Sequence, residues 1–233
     1  MNIEYNLEGL LKFLQKFKNN SILQLKEELN IHSNAKSINY ILASNMCNSY
    51  KGKILFDSFI NSNNIHIKTI QLKANNKVKE AMSFAPINYQ KIVLETWETS
   101  TFKKYLDGIF LFFIFKKTVN DSVLTNVFSW KMDDNDKSKV KIVWENTKEL
   151  IGSGKAFNKF ENGKFYTNFL SEAQTEICHV RPHGRDSTDF KKIPVQDLNS
   201  GTYVLPKYSF WFNHGYLNNI VSEKEKKNEQ ICN

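Results

Sequence analysis

The sequence predicts an α/β protein, a mixed sheet flanked by helices and preceded by a helical segment. Three observations carry that prediction. Leu7, Leu10, Leu11, Leu14 and Phe17 recur at helical spacing near the start. Residues 65–72 alternate in the manner of a strand, and 109–115 (IFLFFIF) form a continuous apolar run closed by Lys116 and Lys117. Finally, 41% hydrophobic content with 18 Phe but only 4 Pro and 9 Gly describes a chain able to bury a full core.

The elements follow in order. A second helix is expected over 21–29 with Ser21 as its N-cap, and a third over 35–47 with Ile38, Ile41, Leu42 and Met46 inward. Three short helices resemble a helix-turn-helix bundle, but no basic recognition face accompanies them, so plain packing is the preferred reading. The character changes near residue 50, which gives a helical subdomain over 1–50, a main domain over 51–221 and a disordered, charged tail over 222–233. Within the main domain, residues 88–96 read as a helix and 109–117 as a buried central strand, with 123–131 as its hairpin partner. Asp136 or Ser138 caps a helix that ends at Gly152. Residues 177–181 and 208–212 read as strands around a polar loop, 183–206, and 213–221 as a closing helix.

Composition narrows the function classes. A formal charge of +8 and a pI near 9.2 suit a polyanionic partner. Cys47, Cys178 and Cys232 are widely spaced and form no CxxC pair, so reduced thiols in a cytoplasmic protein are expected in place of a disulfide framework or a zinc site. Glu4, Glu8 and Lys12 interrupt any signal-peptide core. The apolar run at 109–115 is far shorter than the roughly 20 residues that cross a bilayer, so no membrane partner is expected. No phosphate-cradling glycine loop and no Ser/His/Asp or Cys/His arrangement is identifiable. Glu95, Glu98 and Asp107 sit beside lysines and read as solvated.

The most informative segment is HVRPHGR, residues 179–185, with YSFWFN at 208–213. It reads as a strand delivering Arg181 onto a loop that Pro182 stiffens by fixing φ, backed by a second strand whose Phe210 and Trp211 support it. A guanidinium on a rigid turn matches the O6 and N7 acceptors of guanine together. The competing role for Arg181 is a salt-bridged strand end. His183 either donates to a base or phosphate or is an ordinary surface histidine; Gly184 permits close approach of the DNA backbone, and Arg185 adds a phosphate or groove contact. Lys207, Asn213 and His214 are further candidate phosphate ligands, whereas His179 reads as a core residue.

A second constellation is informative by what it lacks. A strand–helix–strand–strand order with a strand ending in x-Lys is the layout of a metal-dependent nuclease core, which needs two carboxylates on Mg²⁺ and a lysine two residues after the second. Here Lys68 has the lysine position, but His66 stands where the acidic ligand belongs, and Phe59 stands seven residues earlier. Lys68 then serves as a phosphate contact or as an ordinary edge-strand lysine. The catalytic site is expected to be degenerate and metal-free.

Several blocks in order carry a family resemblance: SINYILAS (37–44), IHIKTIQL (65–72), KEAMSFAPI (79–87), TWETSTF (96–102), FLFFIFKK (110–117), ICHVRPHGRD (177–186) and KYSFWFNHGYL (207–217). On them the chain resembles the MutH superfamily of GATC-specific endonucleases. Within it, the resemblance is to the C-terminal effector domain of Sau-type GATC-cutting type II restriction endonucleases. The resemblance implies a restriction-endonuclease-like α/β fold and assigns Arg181 to the guanine of GATC. It also implies an allosteric role: a domain that has lost its acidic ligands binds a second GATC site and promotes cleavage by a catalytic nuclease domain or subunit, which holds the Mg²⁺. A homodimer on DNA is compatible with that scheme. Two alternatives stay open. In one, the chain is an active Mg²⁺-dependent nuclease in which Asp57 or Glu80 restores metal binding. In the other it is a structural or dimerisation partner indifferent to DNA sequence.

Overall fold

The computed structural model describes residues 6–186 and 189–231. Its elements run α1 (Leu7–Leu14), a 3₁₀ turn, α2 (Ile22–Glu28), α3 (Ile38–Lys51), α4 (Lys53–Ser62), β1 (Ile65–Leu72), β2 (Met82–Pro86), α5 (Tyr89–Ile92), α6 (Thr101–Leu106), β3 (Ile109–Lys117), β4 (Ser122–Trp130) and α7 (Asp134–Gly152). Then follow β5 (Phe157–Glu161), β6 (Lys164–Thr167), β7 (Cys178–Pro182), β8 (Phe190–Lys192), β9 (Val204–Pro206), β10 (Tyr208–Phe212) and α8 (His214–Ile231). The chain divides into two compact units, Met1–Glu80 with Tyr105–Met132, and Ala81–Lys104 with Asp133–Asn233.

In the first unit β3 is the central strand, parallel to β1 and antiparallel to β4. Every residue from Phe110 to Phe115 is 0% exposed, which identifies the apolar run as a buried strand. Leu111, Phe113 and Phe115 join Leu10, Leu14 and Leu42 in one core cluster. The helices therefore share their core with the sheet, and the division expected at residue 50 does not appear. A short helix cannot bury its apolar stripe alone, so α1–α3 use the face of β3 and β4. Ser21 caps α2 in a full capping box with Gln24. The sequence reading assigns nothing to residues 53–64, yet α4 forms there. Gly52, at φ +88°, breaks the chain direction between α3 and α4.

The second unit is built on an antiparallel sheet of order β2-β10-β7. Phe102 stacks on Phe210 with centroids 4.3 Å apart and meets Phe84 edge-on at 5.1 Å, which wedges the TWETSTF block under the middle strand. Glu95 is not solvated: its side chain is 12% exposed and accepts hydrogen bonds from the Thr101 N–H and hydroxyl at 3.1 and 2.6 Å. Glu98, by contrast, is 68% exposed.

Several boundaries differ from expectation. The cap of α7 is Asp133, whose carboxylate accepts from the Asp136 N–H at 2.8 Å; Asp136 itself accepts from the Tyr216 hydroxyl at 2.6 Å. The helix expected over 88–96 is only α5, capped by Asn88. Two antiparallel hairpins, β5–β6 and β8–β9, were not anticipated. The first closes on Asn162 and Gly163, both at positive φ, a turn whose signature was present in the sequence. The second lies inside the loop expected over 183–206. Helix α8 continues to Ile231 through the segment expected to be disordered, because Glu, Lys and Gln are good helix formers. Residues 232–233, and with them Cys232, lie outside the described residues.

Among the described residues, no helix is long and apolar enough to cross a membrane. Cys47 and Cys178 are buried free thiols, and burial pushes both thiol pKa values up.

Candidate nucleic-acid interface

Strand register builds this site. In the second unit β7 is an edge strand, and its pairing with β10 sets Arg181 opposite Ser209 and His179 opposite Trp211. Side chains alternate across a strand, so Arg181, His179, Ser209 and Trp211 share one face, while Val180 and Phe210 turn into the core. Arg181 is exposed, and its guanidinium lies 4.2 Å from the centroid of the Trp211 ring. The ladder extends one residue into the loop, where the His183 N–H donates to the Lys207 carbonyl at 2.8 Å. His183 Nδ1 is 2.8 Å from the Ser209 hydroxyl, and its ring meets Trp211 edge-on at 5.0 Å. Arg181 and Pro182 thus end the paired strand, and the chain leaves the sheet at His183 in a defined direction.

Beyond His183 the loop is held by one carboxylate. Asp189 accepts from the Arg185 N–H at 3.2 Å and from Lys207 Nζ at 2.8 Å, with Lys191 Nζ at 4.0 Å. Lys207, more than any other group, holds the Asp189 carboxyl below its usual pKa. Gly184 serves the loop itself: a Cβ there would sit 3.0 Å from the Asp186 carbonyl oxygen and 3.1 Å from Asp189 Cβ. The Arg185 side chain is 87% exposed, and its Nε donates to the neighbouring Asp186 carboxylate at 3.1 Å.

The remaining candidates divide. Lys207 is on this face but paired with Asp189. Asn213 is 3% exposed and fully engaged, its Oδ1 2.7 Å from His179 Nδ1 and its Nδ2 donating to the Thr175 carbonyl at 2.8 Å. It cannot reach a phosphate without breaking a buried pair. His214 is partly buried against Glu172, with Nδ1 and its own N–H 2.9 and 2.8 Å from the same carboxylate oxygen. His179 is the core residue expected, 2% exposed, and burial lowers its pKa. Sequence reasoning missed Ser209 and Asp189, which fix the loop. It also missed an available signal: Arg181 and Arg185 are the only two arginines in the chain, against thirty lysines.

The positions expected of a metal-dependent core lie in the first unit. His66, on β1, stacks on Tyr105 with centroids 3.6 Å apart and planes 14° apart. Its Nε2 is buried with no hydrogen-bond partner among the described residues, and a Cβ at Gly108 would come within 2.6 Å of it. Burial, and then the charge of Lys68, lower the His66 pKa to about 4. Lys68, whose Nζ lies 5.5 Å from the Tyr105 centroid, is lowered by burial to about 8. Phe59, on α4, packs against the core cluster. A benzyl group, an imidazole and an ammonium offer Mg²⁺ none of the oxygen ligands it requires, so these residues do not fit the ion. Asp57 lies elsewhere on α4, and Glu80 is ion-paired with Lys79 at 3.2 Å. Among the described residues no three His, Cys, Asp or Glu side chains converge in a metal-binding arrangement.

Comparison with known proteins agrees with this architecture. Residues 57–142 match the family model described as DNA mismatch repair enzyme MutH, a span that contains Phe59, His66 and Lys68 but ends before the 181–185 loop. The type II restriction enzyme Sau3AI of Staphylococcus aureus is 27% identical over 244 residues, covering 90% of this chain and 50% of that enzyme. The chain thus spans about half the length of the curated relative it matches. On the two matches together, this chain is similar to MutH over residues 57–142 and to a type II restriction enzyme over most of its length, in keeping with a restriction-endonuclease-like α/β fold.

Proposed function

We propose that this chain is a sequence-specific double-stranded DNA-binding module that reads GATC and has no metal-dependent active site of its own. The observation that carries the reading is Arg181, exposed at the end of an edge strand on a face built by Trp211, Ser209 and His183. A guanidinium so held presents its fork with little rotamer freedom left to lose, which suits bidentate contact with guanine. Lys207, Lys191 and Arg185 around it suit phosphate contacts that position without specifying. Phe59 and His66 at the ligand positions support the absence of a metal site.

In this scheme the module is the allosteric effector half of a type II restriction endonuclease. Occupancy of its GATC site favours a state in which a catalytic nuclease half, carrying Mg²⁺, engages a second site. That is a coupling free energy between sites, and the assignment requires it to be measurable in both directions. A homodimer on DNA would serve the same end.

The experiment is a gel-shift series with the chain, a GATC duplex and a one-base variant, with and without Mg²⁺, together with incubation on GATC plasmid. Preference for GATC, unaffected by Mg²⁺, without cutting, is the expected result. Equal affinity for both duplexes ends the specific-reader assignment in favour of a structural partner. Cutting above background supports the second reading, an active nuclease, which the family match over 57–142 favours.

A further inference from the structure

We infer that Trp211 is a specificity-determining positioning residue, a platform that aims the Arg181 guanidinium before DNA arrives. The inference rests on the guanine-reading role proposed for Arg181. Two contacts converge on the one indole. The Arg181 guanidinium lies over its face at 4.2 Å from the centroid. The His183 ring meets it edge-on at 5.0 Å, and His183 is in turn held by Ser209 at 2.8 Å. The β7–β10 register explains why. Arg181 pairs with Ser209, and Trp211 is two residues further along β10 on the same face, a diagonal that a long side chain spans.

The chemistry of this arrangement is one of order. A free arginine side chain loses rotamer entropy when its planar fork is fixed against two acceptors. A guanidinium already held over an indole has lost much of that freedom in the unbound state, and contact with the indole face leaves guanidinium N–H groups available for hydrogen bonds. His183, its plane inclined 63° to the same ring, packs against the indole and helps fix the platform. The indole N–H has no hydrogen-bond partner among the described residues, so Trp211→Phe removes none and isolates the effect of the ring.

The test uses the whole chain with Trp211→Phe and Trp211→Leu, and two readouts. The first needs no DNA. With only two arginines in the chain, the Arg181 Nε–Hε signal is resolved and assigned by comparison with Arg181→Lys. Ring current should displace it upfield in the wild type, less so in Trp211→Phe, and not at all in Trp211→Leu. The second readout is the affinity ratio for GATC against a one-base variant. It should fall roughly 2- to 5-fold in Trp211→Leu, the worth of an exposed cation–π contact, with a smaller loss in Trp211→Phe and little change in affinity for the variant duplex. An Arg181 signal at its random-coil position in the free wild-type chain overturns the platform, whether or not Trp211→Leu folds. A displaced signal with full GATC preference in Trp211→Leu overturns the positioning role. A displaced signal in a wild-type chain that does not prefer GATC overturns the guanine reading and, with it, the purpose assigned to Trp211.

Discussion

Replacing Lys68 with methionine should make the protein more stable, and by an amount that depends on pH. Burial lowers the Lys68 pKa from 10.5 to about 8. A lysine whose folded pKa lies below its unfolded value costs stability wherever the unfolded chain binds the extra proton. The cost is therefore full below pH 8 and disappears as pH rises past 10.5. At 1.36 kcal/mol per pK difference, linkage gives about 3.3 kcal/mol at pH 7 and about 0.8 at pH 10 as upper values. Partial access of water to the ammonium discounts these by roughly half, and losing the contact with Tyr105 returns about 0.5 kcal/mol. The expected gain is about 1–2 kcal/mol at pH 7, falling to near zero at pH 10. Urea unfolding at pH 7, 8.5 and 10, with unchanged m-values, measures it. Removing the ammonium also lifts one of the two influences that depress His66. A methionine variant less stable than wild type at pH 7, or a gain that does not vary with pH, refutes the argument.

Three further outcomes are expected. Arg181→Ala should lose about 1–3 kcal/mol of discrimination between GATC and a one-base variant, whereas Lys207→Ala should weaken all duplexes alike and flatten the salt slope by about one; gel shifts across salt concentrations separate the two. Asp189→Asn, which keeps an acceptor for the Arg185 N–H but removes the charge opposite Lys207 and Lys191, should tighten binding to every duplex and steepen the salt dependence, as the same titrations would reveal. Phe113→Ala, at the 0% exposed centre of β3, should cost about 3–5 kcal/mol in denaturant unfolding because its neighbours cannot close the cavity.

Legibility of the fold followed the strength of periodicity. The 65–72, 109–117 and 208–212 strands were readable because their neighbours in sequence agree on one state, as was the capped helix after Ser21. Helix α4 was not, because Ile54 and Leu55 are 86% and 53% exposed and leave no clean apolar stripe. The β8–β9 hairpin was hidden because each of its strands is only three residues long. The 179–185 segment that carries Arg181 was singled out from residue chemistry. Asn213 was misplaced there because a neutral amide gives no sign, in sequence, of whether it faces solvent or closes a buried pair with His179.

Sequence alone determined the α/β class, the longer strands near 65–72, 109–117, 123–131, 177–181 and 208–212, the side-chain types at positions 59, 66 and 68, and the presence of arginine beside proline at 181–182. These are properties of local pattern and residue chemistry, which no distant contact can change. Tertiary structure decided which groups meet. It laid Trp211 under Arg181, took Lys207 into an ion pair with Asp189, buried Asn213 and stacked His66 on Tyr105. Each of those contacts joins residues separated by tens of positions or carried on different elements, so it depends on strand register and packing that no local window of the chain encodes.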